Sequence, residues 1–467
     1  MHFQPKRYPR RHDLRVWLPV AAIIIAVSAC GLPFQPPVPT PTRSSVPTAT
    51  RPPATPSATS SPLPTPSPTI QALDPEVLEQ MEEIENQVIQ LRGWHPTSAT
   101  HRRLLTAEEM HQEVVEVFLQ DYTPEEAADE ARVLALLGFL EPGYDLWTLY
   151  QDLYAEQVLG FYDDMSEQMS VLSDADFDIL ERLTYAHEYV HALQDQTHDF
   201  QDVLGYDDAA CETSSDRCIA IQALLEGDAM LLQSQWLRTY ASTADVGALL
   251  DLTAALESPV FSAAPEFIQQ SVLFPYEKGA SFVLHFYLRG QWSAVDDIYR
   301  NPPASTEQLL HPARYPDDVP TTLELPNLDG ALSPKWREIA RDTLGEWRIR
   351  MFLSQFLPSD IAQLAAEGWE GDTFLAFYDE ARDRTAIVLV TAWETDSDAT
   401  QFYSALQDYG NARFTDAEFS WEFMSWEMDG TFVSLVRSTL QVMWILAPDA
   451  ATEAALRSAI SIPAQQQ

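Results

Sequence analysis

No glycine or proline interrupts the chain from Asp174 to Leu204, and within that run Ile179, Leu183, Ala186, Val190 and Leu193 recur at three- and four-residue spacing. An apolar stripe of that period packs one face of a helix on a core. His187 and His191 fall four residues apart on a neighbouring face, so both imidazoles reach toward one point, and Glu188 lies between them. The segment His187-Glu188-Tyr189-Val190-His191 matches the HExxH pattern, in which two histidines hold a zinc ion and the glutamate acts as base on a water beside it. The same spacing also suits two surface histidines on an amphipathic helix. A third ligand has to decide.

A histidine third ligand would follow as HExxHxxGxxH. Those positions hold Gln194 and Thr197, and His198 comes one residue late. Beyond Cys211 and Cys218 the pattern predicts a second helix from Ile219 to Leu232, whose only acids are Glu226 and Asp228. A carboxylate in so apolar a helix is costly to bury unless it is paired or bound to metal. Glu226 is therefore the best third ligand.

HEYVHALQDQ followed by ALLEGDA resembles the gluzincin group of zinc metallopeptidases, the thermolysin-like enzymes. More closely, it is similar to a set of poorly characterised bacterial secreted or lipid-anchored proteins with HExxHALQDQ and an EG(D/E)A helix. The resemblance extends through GFYDD at 160–164, STEQLLHP at 305–312 and GWEGD at 368–372. It implies one zinc ion per chain held by His187, His191 and Glu226, water in the fourth position, Glu188 as general base, and a peptide or protein substrate. One position departs from the thermolysin-like pattern, which carries an aspartate four residues after the glutamate ligand; here it is Met230. Support for the histidine rings must then come from elsewhere, with Asp195 either a candidate or simply a solvated acid. A zinc peptidase also needs a donor for the oxyanion of its tetrahedral intermediate, which Tyr276 or His311 could supply. Both sit on expected loops or helix starts, where a turn-forming role is the alternative. His285 reads as a packed or surface residue.

The N-terminus addresses the chain to the outside of a membrane. Lys6, Arg7, Arg10, Arg11 and Arg15 precede the short apolar run Val16–Ala26, and Val27-Ser28-Ala29-Cys30 ends it in the manner of a bacterial lipobox. The expectation is a lipoprotein signal at 1–29, lipidation of Cys30 and anchoring to the bacterial cell membrane; a cleaved secretory signal is the alternative. Thirteen of the thirty-three prolines fall within 31–70 among Ser and Thr with no acid, so 30–72 reads as an extended tether. Cys211 and Cys218 are close enough to close a small disulfide loop between the two site helices. The formal charge is −42, and loss of 1–29, with five basic residues and one acidic, leaves −46. Such a surface repels nucleic acid and anionic lipid.

The expected fold is α+β: a mainly helical zincin-like catalytic domain at 73–330 with a small hairpin, then an α+β domain at 331–463. Helices are predicted from Asp74 and Pro75 to Gly93, over Ala107–Gln120, Pro124–Leu137 and Leu146–Gln157. Val158–Tyr162 and Gln168–Leu172 form a hairpin, either structural or placed to pair with extended substrate. Pro334–Leu353 is predicted as a helix, Ala386–Trp393, Phe419–Met428, Thr431–Arg437 and Leu440–Leu446 as strands, with a helix between the first two capped by Asp396 and stopped by Gly410. Two functions fit: an extracytoplasmic zinc peptidase, or a zinc-containing surface binding or assembly lipoprotein without activity.

Overall fold

Local chemistry sets the ends of the first helix. The Asp74 carboxylate accepts from the Glu76 N–H, Pro75 takes the first helical position, and Gly93 closes it in the left-handed region, giving α1 Pro75–Arg92. The computed structural model describes residues 73–460, apart from 120–121, 174–176, 257, 329, 420–422 and 429. The expected signal at 1–29, Cys30 and the tether at 30–72 lie outside the described residues. No helix among the described residues is long and apolar enough to cross a membrane.

After α1 come β1 His101–Leu105, α2 Ala107–Phe118, α3 Pro124–Leu136 and α4 Leu146–Gln157. Capping boxes of Thr106 with Glu109 and Thr123 with Glu126 start α2 and α3. The hairpin β2 Gly160–Asp163 and β3 Gln168–Leu172 leads into α5 Ile179–His198, whose N-cap Asp178 exchanges hydrogen bonds with Glu181. β1 pairs in parallel with β3, so the sheet order is β1-β3-β2 and β2 lies at an edge.

The chain continues through α6 Asp208–Cys211, α7 Ser215–Tyr240, α8 Thr243–Ala255, α9 Pro259–Ala263, α10 Glu266–Arg300 and α11 Thr306–Leu310. A disulfide joins Cys211 to Cys218 across the start of α7. Phe274–Gly279, expected at a loop or helix start, instead lies inside α10 with Pro275 in the helix. Burial of Phe274 and Tyr276 on both sides of the proline outweighs its local cost. α10 breaks later, at Gln291, where φ is 56°.

The last third holds β4 Trp336–Asp342, α12 Gly345–Ser354, α13 Ser359–Ala366, β5 Trp369–Asp379, β6 Arg384–Trp393 and α14 Asp396–Arg413, then β7 Thr415–Phe419, β8 Met424–Met428, β9 Thr431–Arg437, β10 Gln441–Ala447 and α15 Ala450–Ala459. Its seven strands form one antiparallel sheet in the order β4-β5-β6-β10-β9-β8-β7. The chain is thus α+β. Three readings are corrected here. The predicted helix over Pro334–Leu353 is a strand followed by a helix, because β4 is fixed by pairing with the distant β5. Phe419–Met428 divides between β7 and β8. Gly410 does not end α14; a Cβ there would fall 2.5 Å from the Trp426 ring, so the glycine makes room for the indole.

Side chains alternate across the sheet as a pleat requires. Leu375, Phe377, Val388 and Ile445 face α15 through Leu456, while Phe374, Ala376, Leu389 and Trp444 face the opposite side. That second face shares one apolar cluster with Val114, Leu134 and Phe267, so the core runs continuously across residue 330.

Candidate metal centre

α5 and α7 lie side by side and bring three ligand atoms together. His187 Nε2 is 3.1 Å from Glu226 Oε2, His191 Nε2 is 3.2 Å from His187 Nε2, and His191 Nε2 is 3.5 Å from Glu226 Oε2. Ligands at 2.0–2.1 Å in tetrahedral array are separated by about 3.3 Å, so the three edges match one face of a zinc tetrahedron. His187 and Glu226 are buried and His191 is nearly so.

Each ligand is held by a different device. The Gln194 side-chain N–H donates to Leu225 O at 2.9 Å, which turns its carbonyl oxygen toward His191 Nδ1 at 2.8 Å. His191 Nδ1 therefore donates to Gln194, which leaves Nε2 facing the other two ligand atoms. Glu226 receives a hydrogen bond at 3.2 Å from the Tyr276 hydroxyl of α10. That contact requires α7 and α10 to touch backbone to backbone: a Cβ on Gly279 would fall 1.9 Å from Ala223 O, and one on Gly227 2.3 Å from Gly279. His187 Nδ1 is buried with no hydrogen-bond partner.

Asp195 does not support a histidine; it accepts from Tyr162 Oη at 2.9 Å and from the Phe200 N–H at 3.3 Å. Tyr276 joins the centre, but through Glu226. His311 is engaged elsewhere, its Nε2 lying 2.9 Å from the buried Glu346. Asp228, the other acid of α7, binds Arg92 and accepts from Tyr299 Oη at 2.8 Å, and Arg92 lies over the Trp94 ring. Residues that the sequence reading passed over are Gln194, Gly227, Gly279 and Tyr206. The Tyr206 phenol is buried, and burial together with Glu226 and Asp164 pushes its pKa well above the ordinary tyrosine value. Its only sequence signal is an aromatic residue in the loop between the two ligand helices.

STEQLLHP and GWEGD serve a different junction. Asp216 at the start of α7 accepts from Thr306 N at 3.1 Å and Thr306 Oγ1 at 2.5 Å, and Asp342 accepts from Ser215 N at 2.9 Å. Asp372 accepts from Leu344 N and Gly345 N at 2.8 and 2.9 Å. Gly345, at φ 74°, passes where a Cβ would lie 1.7 Å from Asp216. These contacts fasten the first turn of α7 to α11 and α12.

A second group of convergent acids, Glu307, Asp318 and Glu394, also offers ligand atoms within 4.8 Å of one another. Arg314 Nη1 stands among them, at 3.2 Å from Glu307, 3.3 Å from Asp318 and 2.5 Å from Glu394.

The two carboxylates near the histidines are driven apart. For Glu226, burial raises the pKa, but His191 and His187 outweigh it and bring it down to about 2. For His191, burial lowers the pKa, yet Glu226 and Glu188 raise it to about 9. For Glu188 burial prevails over both histidines and lifts the pKa above the usual glutamate range, while the Tyr162 backbone N–H donates to its carboxylate. Gly160 makes that approach possible, since a Cβ would meet Thr184 at 2.7 Å and Glu188 at 3.3 Å.

Residues 333–457 match the model of a domain of unknown function (DUF8575). No curated protein matches the chain. No solved structure matches it either.

Proposed function

We propose that the chain is a zinc-dependent peptidase of the gluzincin kind, with His187, His191 and Glu226 as ligands and a zincin-like arrangement of α5, α7 and the small sheet. The observation that carries this reading is the triangle of 3.1, 3.2 and 3.5 Å between two imidazole nitrogens and one carboxylate oxygen. The donor set is that of zinc sites with an open fourth position. Zinc bound there supplies a Lewis acid for the substrate carbonyl and lowers the pKa of water at the open position.

The chain's own groups do the rest. Glu188, raised by burial and steadied by the Tyr162 N–H, takes a proton from the attacking water and returns it to the leaving amine. β2 pairs only with β3 among the described residues, and one of its N–H groups already faces Glu188. An extended substrate pairing along that edge is delivered to the base. Tyr276 orients Glu226 rather than the oxyanion. With Cys30 as the site of lipidation, hydrolysis takes place outside the membrane.

Two observations favour a second reading, a non-catalytic zinc-containing surface lipoprotein. His187 Nδ1 lacks the hydrogen-bond partner that metal-ligating histidines ordinarily have, and Met230 stands where an acid would. Cleavage profiling on an unbiased peptide library, beside Glu188→Gln, separates the two. The peptidase reading expects about one zinc in both proteins and a loss of about 10²–10⁴-fold in hydrolysis for the variant. Zinc binding with no cleavage by the wild type would favour the second reading.

A further inference from the structure

Three buried residues on α5 and α7 carry polar atoms with no hydrogen-bond partner among the described residues: Thr184 Oγ1, His187 Nδ1, and both Oε1 and Nε2 of Gln233. A buried hydroxyl, imidazole or amide left unpaired is costly, and protein interiors hold few of them. Three on one pair of helices need a common explanation.

The two helices run antiparallel. Gln194, late in α5, reaches Leu225 O in the first half of α7, and Arg182, in the first turn of α5, reaches Asp245 just beyond the end of α7. His187 meets Glu226 between those points, and Leu183, Ala186 and Val190 share an apolar cluster with Ala229, Leu232 and Trp236. A step from His187 toward the start of α5 is therefore a step from Glu226 toward the end of α7. Thr184 lies one turn back from His187 in that direction. Gln233 lies seven residues after Glu226, two turns on and within about 20° of the same face, a rise of about 10 Å. Side chains lean toward the N-terminus of their own helix, so His187 leans toward the end of α7 and Gln233 leans back toward Glu226. The gap closes from both sides. Met230, at the turn between, has only a thioether to offer, a weak acceptor.

We propose that Gln233 is the positioning residue for His187, acting through one buried water that accepts from His187 Nδ1–H and donates to Gln233 Oε1, with Thr184 Oγ1 as its third partner. A buried water ordinarily makes about three hydrogen bonds, and these groups supply that number. His187 Nε2 faces Glu226 and His191, so the proton of the neutral ring belongs on Nδ1 and needs an acceptor there. The inference rests on the zinc centre of the peptidase reading and gives His187 the ring support that Met230 cannot.

A high-resolution crystal structure of the zinc-loaded protein should show one water within hydrogen-bond distance of both His187 Nδ1 and Gln233. His187 Nδ1 bonded to any other group, or to none, would overturn the proposal. In solution, Gln233→Met keeps the volume and removes the acceptor, and should weaken zinc binding about 10- to 100-fold in chelator competition. Gln233→Glu keeps an acceptor at the same reach and should stay within about threefold of the wild type. A role in packing alone would lower the urea stability of the metal-free Gln233→Met protein and leave its zinc affinity unchanged, which would refute the assignment. So would a loss in Gln233→Glu as large as in Gln233→Met. If Gln233→Met does not fold, the crystal structure and Gln233→Glu decide. Zinc held through this bridge by a wild type that cleaves nothing would end the peptidase reading and leave the role of Gln233 standing, whereas a wild type that takes up no zinc would end both.

Discussion

Two clusters among the described residues gather side chains able to hold a cation, and one of them lacks a cation of its own. Glu307, Asp318 and Glu394 converge on Arg314, whose guanidinium answers all three carboxylates. His187, His191 and Glu226 converge at the same scale on no Lys or Arg among the described residues, and the spacing of their atoms fits a tetrahedral ion. Convergence of acids therefore says little. What distinguishes a metal centre is convergence that the chain leaves uncompensated, with nitrogen lone pairs in the set.

The comparison breaks most easily at the ligands. Glu226→Gln should weaken zinc binding by well over about 100-fold, whereas Glu394→Gln should leave it unaltered, as read by chelator competition. Zinc lost equally from both would end the distinction. A smaller effect comes from Tyr276→Phe, which removes the hydrogen bond to Glu226; about 10- to 100-fold in zinc affinity or in kcat/KM is expected, with the fold intact by circular dichroism.

The Arg314 cluster should answer in stability and not in metal content. Arg314→Met removes the cation these acids share and should cost about 1 kcal/mol in urea unfolding, because burial and the neighbouring carboxylates already raise Glu307 to about 9 and Arg314 is one-third exposed.

The smallest effect is the slope of stability with pH. Burial first, and neighbouring carboxylates second, raise Asp216 and Asp372 to about 7 against the hydrogen bonds they accept. A raised carboxyl contributes fully below the ordinary aspartate value, about 3.9, and its contribution is lost as pH rises through about 7. The melting temperature should therefore fall from pH 4 to 7, and Asp372→Asn should flatten part of that fall. An identical slope in the variant would remove Asp372 from the account.

The centre was more legible in the sequence than the fold around it, for a physical reason. Ligand spacing on α5 follows from helix geometry, and Glu226 stands out as an acid in an apolar stretch; both are local signals. The ring support was not legible, because Gln194 acts by reaching Leu225 O on α7 and Asp195 turns to Tyr162 on β2, contacts decided by packing. β4 misleads for the same cause: Trp336, Ile339, Ala340, Leu344 and Trp347 recur at helical spacing, and only the pairing with β5 makes the segment extended. Pro275 and Gly410 carry strong local signals that burial of Tyr276 and Trp426 overrides.

The backbone contact of Gly227 with Gly279 reaches beyond affinity. No side chain lies between the two helices at that point to absorb a change, so a methyl group added at either position would be passed on to Tyr276 and Glu226 as displacement. Among descendants of this sequence that keep the centre, both sites should stay closed to substitution while exposed positions drift. Inheritance would then hold the spacing of the three side chains fixed while the surface around them diverges.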